Sequence, residues 1–263
     1  MSGIADAFAR VKTSGQPGLV AYVTAGDPDL ARTAEILVSL AANGADVIEV
    51  GVPFSDPLAD GPVIQRASER ALASGTTLRG TIRMVRDSRS RIDAPIVLFT
   101  YANPVLRMGE AAFVEEAAAA GIDGVLVLDL PVEEAGPFRD RIVDAGLDPI
   151  FLLSPTTTDD RIRASAALGR GFLYVISRLG VTGARDRIAT DAESLVRRVR
   201  AQSDLPLALG FGISTPEHVA QVGRWADAAV VGSALVDVIA QHGGAPDVAA
   251  RAGSYVRWLK GQA

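Results

Sequence analysis

Glu49 sits one residue before the end of the apolar run Asp46-Val47-Ile48-Glu49-Val50. Charged residues are rarely buried without a partner or a task. Burial disfavours the ionised form, so a carboxyl in such a run has a raised pKa and can both give and take protons. An ion pair with an arginine at the strand end is the plainer use of such an acid. Asp56 and Asp60 follow closely, in Pro53-Phe54-Ser55-Asp56-Pro57-Leu58-Ala59-Asp60-Gly61. Beside proline or glycine, each could serve only to shape a turn. The segment leaves the very run that bears Glu49, however, so either aspartate can place a second carboxylate over the same pocket. Two carboxyls in unlike surroundings make an acid–base pair.

Glycines gather late in the chain, in Gly180-Val181-Thr182-Gly183, in Gly210-Phe211-Gly212-Ile213-Ser214 and in Gly232-Ser233, which opens a helix predicted to begin at Ala234. Free backbone N–H groups and a helix N-terminus can hold a phosphate dianion without a lysine. That matters here, because Lys12 and Lys260 are the only lysines in the sequence. Lys12 falls in the leading helix and Lys260 in the last one, neither at a strand end, so a Schiff-base mechanism has no nucleophile. His218 and His242 read as ordinary surface residues, there is no cysteine, and no cluster of metal ligands is expected. Ser55 lies in no Gly-x-Ser-x-Gly elbow. What remains is a phosphate-binding protein that works by carboxylate proton transfer.

The elements that must position these groups alternate regularly. Strands are predicted at Leu19–Thr24, Asp46–Val50, Pro95–Tyr101, Gly124–Asp129, Pro149–Ser154, Phe172–Ser177, Leu205–Gly210 and Ala228–Gly232. They are continuously apolar, as strands of a parallel sheet covered on both faces are. Amphipathic helices are predicted at Leu30–Asn43, Leu78–Ser90, Glu110–Ala120, Glu133–Ala145, Asp159–Leu168, Asp191–Ala201, Pro216–Val222 and Asp247–Leu259, with a further helix at the N-terminus. Asn43-Gly44, Ala120-Gly121 and Ala145-Gly146 are helix stops; Thr158-Asp159 and Ser214-Thr215-Pro216 are starts. The pattern predicts a single (β/α)₈ TIM-barrel domain over residues 1–263 with an extra N-terminal helix. A doubly wound sheet would carry Gly-x-Gly-x-x-Gly after the first strand, where this chain has Thr24-Ala25-Gly26-Asp27-Pro28. Two long connections, Gly51–Thr77 and Arg178–Thr190, leave the carboxyl ends of strands, where barrel sites lie.

The 263 residues carry a formal net charge of −5, which weighs against a nucleic-acid partner. No apolar run approaches the roughly 18 residues of a membrane span, and no basic segment precedes the first helix. The cytoplasm is the expected compartment, with neither membrane nor nucleic acid as partner.

The stretch Ile48–Gly61 resembles the signature of the tryptophan synthase α-subunit family. Tyr22–Pro28, Tyr101-Ala102-Asn103-Pro104, Asp129-Leu130-Pro131, Ser177–Gly183 and Gly210-Phe211-Gly212-Ile213 are also similar to it, in order, from about Ala5 to Leu259. The resemblance implies a lyase that cleaves indole-3-glycerol phosphate to indole and glyceraldehyde 3-phosphate, with Glu49 and Asp60 as catalytic pair. It implies phosphate contacts at Gly183, Gly212, Gly232 and Ser233, and an indole pocket of Tyr22, Ile64, Thr100, Leu126, Tyr174 and Phe211. Tyr22 stands where phenylalanine is common in the family, and Thr100 where a larger apolar residue is common. Thr182 belongs to a loop expected to close over the site. Pro53, Asp56 and Asn103 resemble the surface facing a β subunit in an α₂β₂ heterotetramer. The pyridoxal phosphate of that assembly is expected in the β partner, with no cofactor in this chain. Two alternatives stand beside this reading: a regulatory barrel subunit, against which the presence of both Glu49 and Asp60 weighs, and another phosphate-binding barrel enzyme of the same pathway, such as one dependent on a strand-end lysine, which this chain lacks.

Overall fold

The computed structural model describes residues 2–176, 185–210 and 212–262, and for 185–191 the backbone only. Eight parallel strands close into one barrel in sequence order: β1 Gly18–Thr24, β2 Val47–Gly51, β3 Ile96–Thr100, β4 Gly124–Val127, β5 Asp148–Leu153, β6 Leu173–Ile176, β7 Leu207–Gly210 and β8 Ala228–Val231. The helices are α1 Gly3–Ser14, α2 Leu30–Ala42, α3 Pro62–Ala73, α4 Leu78–Ser88, α5 Ala102–Met108, α6 Glu110–Ala119, α7 Gly136–Asp144, α8 Asp159–Leu168, α9 Arg185–Arg200, α10 Pro216–Val222, α11 Ser233–His242 and α12 Val248–Leu259. Among the described residues none is long and apolar enough to cross a membrane.

Strand alternation sorts the side chains into two sets. Leu19, Ala21, Ile48, Val50, Ile96 and Leu98 point outward into the layer beneath the helices. Val20, Tyr22, Val47, Val97, Phe99, Leu126, Ile150, Phe172, Ala208, Ala228 and Val230 fill the interior. Helix α1 closes the amino-terminal end: Ile4, Ala7 and Phe8 join the interior set, and the Phe8 and Phe172 rings lie 5.4 Å apart. Ser2 caps this helix by accepting from the Ala5 N–H, and its hydroxyl donates to Asp148.

The same end is tied by a recurring device. Asp46, Asp123 and Asp227 each accept an N–H from the start of the preceding strand, from Leu19 at 2.7 Å, Ile96 at 2.8 Å and Leu207 at 2.7 Å. Each also faces a cation: Lys260, Arg89 and Arg200 respectively. These clamps draw one of the two lysines to the closed end of the barrel, far from the strand ends that carry chemistry.

The predicted stops hold, with Gly44, Gly121 and Gly146 at φ of +99°, +75° and +82°. Thr158 and Thr215 cap α8 and α10 through their hydroxyls. Four expectations need correction. The connection Gly51–Thr77 contains α3, whose buried Ala67, Ser68 and Ala71 are preceded by Arg66 and interrupted by Glu69 and Arg70, which dilute the apolar signal. Helix α9 begins at Arg185, six residues earlier than its predicted start at Asp191, so the connection Arg178–Thr190 is shorter than expected. Helix α5 was not expected; it is only seven residues long. The predicted α7 is also shortened: it starts at Gly136, with Pro137 in its first turn, where a missing N–H costs nothing.

Candidate active site

Glu49 stands on the inward face of β2, fully buried, opposite Tyr22 of β1. Neither carboxylate oxygen has a hydrogen-bond partner among the described residues. An isolated ionised carboxylate there would be strongly disfavoured, and burial pushes its pKa up to about 8. The plainer use of this acid, as an arginine's partner, is therefore not realised among the described residues.

Asp60 lies in the loop between β2 and α3. Burial raises its pKa to about 6, and a hydrogen bond from Tyr101 acts in the opposite direction. The Tyr101 hydroxyl donates to Asp60 Oδ2 at 3.0 Å and accepts from the Ala59 N–H at 3.2 Å. It thus fixes both the side chain and the backbone of the acidic loop. Gln65, one turn into α3, donates to the Asp60 carbonyl at 2.9 Å. Helix α3 is itself tethered: Arg70 makes a two-pronged ion pair with buried Asp27 at 2.8 and 2.7 Å. Two carboxyls with pKa values near 8 and 6 can share a site at neutral pH with one protonated and the other ionised.

Tyr101, Gln65, Asp27 and Arg70 were not singled out by residue type. Tyr101 and Asp27 do occur inside motifs quoted above, Tyr101-Ala102-Asn103-Pro104 and Tyr22–Pro28. Spacing alone could not reveal that a tyrosine after β3 reaches the loop after β2.

The predicted pocket assembles in part. Tyr22 packs edge-on against Phe99, with centroids 5.2 Å apart at 78°. Leu126 is buried in the interior, and Ile64 of α3 and Tyr174 of β6 pack against the same cluster. Thr100 is placed differently. It shares the outward parity of Ile96 and Leu98, and its hydroxyl donates to the Tyr101 carbonyl at 3.2 Å. Phe99 takes the inward position, a one-residue shift that strict alternation could have revealed.

Gly212 is exposed at φ +58°, and Gly232 caps α11 directly ahead of Ser233, its first residue. A side-chain carbon added at Gly232 would make ordinary contact with Tyr22 at 3.8 Å and Ile64 at 3.9 Å, so this turn borders the residues of the predicted pocket. Gly183, Thr182 and Phe211 lie outside the described residues.

On the rim, Asp56 and Asn103 are exposed, and Asp56 accepts from Ser55 at 2.6 Å. Pro53, two residues past the end of β2, is buried rather than exposed on the rim. The exposed apolar groups here are instead Leu58 at 93% and Leu106 at 63% exposure. His218 accepts from the Ser214 N–H at 3.3 Å, as a structural residue does. Among the described residues no three His, Asp or Glu side chains gather as metal ligands.

The family model described as "Tryptophan synthase alpha chain" matches residues 8–259. The tryptophan synthase alpha chain of Citrifermentans bemidjiense is 50% identical over 260 residues, covering 99% of this chain and 97% of that one. The solved tryptophan synthase subunit alpha of Legionella pneumophila superposes with a TM-score of 0.91 at 37% identity, covering 100% of this chain and 98% of that one. A chain of the tryptophan synthase α₂β₂ complex of Pyrococcus furiosus superposes with a TM-score of 0.87 at 41% identity, covering 93% and 98%.

Proposed function

The chain belongs to the tryptophan synthase alpha chain family, a lyase that cleaves indole-3-glycerol phosphate, and we propose that Glu49 and Asp60 are the residues that perform the cleavage. The observation that carries this reading is a fully buried Glu49 with both oxygens free of partners among the described residues, together with a loop carboxylate, fixed by Tyr101, whose charge acts with that of Glu49 on Tyr22.

Breaking the bond between indole C3 and the glycerol chain leaves an electron pair that needs a sink. Protonated Glu49 gives its proton to C3, which makes the ring an indoleninium cation. The Glu49 carboxylate then takes the proton of the chain hydroxyl on the adjacent carbon. That oxygen's electrons form the aldehyde carbonyl, the carbon–carbon bond breaks, and its pair returns to the ring. Glu49 ends as it began, so no co-reactant is consumed. Ionised Asp60 accepts the ring N–H and stabilises the positive charge. Neither lysine can replace this route: Lys12 lies in α1, and Lys260 is paired with Asp46 at the closed end of the barrel.

Phosphate binding falls to the turns at Gly212 and at Gly232–Ser233, with Gly183 from the connection after β6. The N-terminus of α11 supplies the dipole. The indole ring occupies the interior lined by Tyr22, Phe99, Leu126, Ile64 and Tyr174, with Phe211 from the β7 turn. Closure of the segment bearing Thr182 would exclude water.

The partner is a tryptophan synthase β subunit in an α₂β₂ assembly, which carries the pyridoxal phosphate; this chain needs no cofactor of its own. The rim of Asp56, Leu58, Asn103 and Leu106 is the surface that supports this. It shares the end of the barrel that bears Asp60. The working compartment is the cytoplasm.

The isolated chain is expected to release indole slowly from indole-3-glycerol phosphate, and added β subunit to accelerate it. Asp56→Lys should weaken the acceleration more than the basal rate, since displacing a catalytic carboxylate by about an ångström can cost about 10²-fold. No indole release with or without β subunit would overturn the activity. Equal acceleration of both proteins would remove this rim from the coupling.

A further inference from the structure

A second set of polar groups faces the same interior and takes no part in the proton transfers above. Thr24 is 2% exposed, and its hydroxyl has no hydrogen-bond partner among the described residues. It lies on β1 two residues beyond Tyr22, so the two side chains share the inward face. The Tyr22 phenol reaches across to β2. A side-chain carbon at Gly51 would fall 2.1 Å from the Tyr22 oxygen, so this hydroxyl occupies the notch that Gly51 leaves open, one inward position above Glu49. The phenol stays protonated and is a fixed donor: burial, then the charge of Asp60, raises its pKa, against a smaller lowering by the Thr24 hydroxyl. The two hydroxyls influence each other but do not reach hydrogen-bond geometry.

Barrel order decides what meets them. Strand β1 lies between β8 and β2, with Ala21 opposite Val231 and Tyr22 opposite Glu49. Gly232, the cap of α11, directly follows β8 and lies beside Tyr22. A substrate with its phosphate on the β8 turn and its reacting carbon at Glu49 must lay the carbon chain between them across the end of β1. We infer that the Thr24 and Tyr22 hydroxyls form a hydrogen-bonding step for the hydroxyl groups of the substrate's three-carbon chain, and so set specificity for a hydroxylated chain over a plain one.

This inference rests on the activity proposed above, and the experiment separates the two. The substrate is compared with the phosphate ester of 3-(indol-3-yl)propanol, which keeps ring, chain length and phosphate but lacks both chain hydroxyls. A neutral hydrogen bond contributes about 0.5–1.5 kcal/mol, so Tyr22→Phe and Thr24→Val should each lower kcat/KM for the substrate about threefold to tenfold. Inhibition by the deoxy ester should change by less than about twofold, and Thr24→Ser should retain wild-type selectivity. If substrate and deoxy ester weaken in parallel, the residues act through packing and the inference fails. It fails equally if both variants keep wild-type kcat/KM. A wild type that releases no indole overturns the activity itself, and this inference with it. Should Thr24→Val not fold, Tyr22→Phe alone decides between these outcomes.

Discussion

Glu49→Gln is expected to abolish indole release while leaving the protein folded and more stable. The amide keeps the volume of the side chain but cannot give or take the proton. Loss of general acid–base function typically costs about 10²–10⁴-fold, and here one group makes both transfers, so the upper end applies. Stability should move the other way. The Glu49 pKa rises from 4.5 unfolded to about 8 folded. The folded state therefore holds a proton that the unfolded chain releases, and stability falls as pH rises through that window. The cost at pH 8 and above is on the order of several kcal/mol. Gln carries no such cost, so the variant should melt higher than wild type, most clearly at alkaline pH. Thermal denaturation across pH and single-turnover indole release check both halves. More than half of wild-type turnover, or a lower melting temperature at pH 8, would contradict the assignment.

Asp60→Asn is expected to reduce cleavage by about 10²–10³-fold, the range for removing one preorganised electrostatic contact. Asp60 is ionised above its pKa of about 6, and the Tyr101 hydroxyl orients it. The amide can still accept the ring N–H but carries no charge to offset the indoleninium. The loss should therefore fall on kcat more than on KM, because the cation exists only along the reaction path. Asp56→Asn is the control. Asp56 is exposed, and among the described residues its carboxylate accepts only from its neighbour Ser55, so basal turnover of this variant should stay near wild type. Crippled Asp56→Asn beside an active Asp60→Asn would show that the wrong loop carboxylate had been chosen.

The barrel was legible because its strands are short, apolar and separated by capped helices, and the order of eight repeats leaves little room for another topology. Glu49 was legible for the same reason: an acid inside such a run stands out. What escaped lay in tertiary geometry. Helix α3 hid behind Arg66, Glu69 and Arg70, although Arg70 faces buried Asp27 and holds that helix in place. Tyr101 reads as an ordinary aromatic after a strand, until the neighbouring loop brings Asp60 to its hydroxyl. The expectation for Thr100, carried over from the resemblance, missed by one residue, since strand alternation turns Phe99 to the interior. Pro53 reads as a rim residue beside Asp56, yet the chain keeps it buried.

Cleavage requires a protonated, buried Glu49 and an ionised Asp60 at the same time. The pH dependence of kcat/KM for indole release, followed from pH 5 to 10 with the isolated chain, tests this requirement most directly. Activity should rise as Asp60 ionises near pH 6, and fall as Glu49 loses its proton near pH 8. The substrate phosphate can contribute to the acid limb but is already fully ionised on the alkaline side, so the fall near pH 8 belongs to the enzyme. A profile that stays level from pH 7 to 10 would mean that cleavage does not need a proton on Glu49, and Glu49 would not be the general acid.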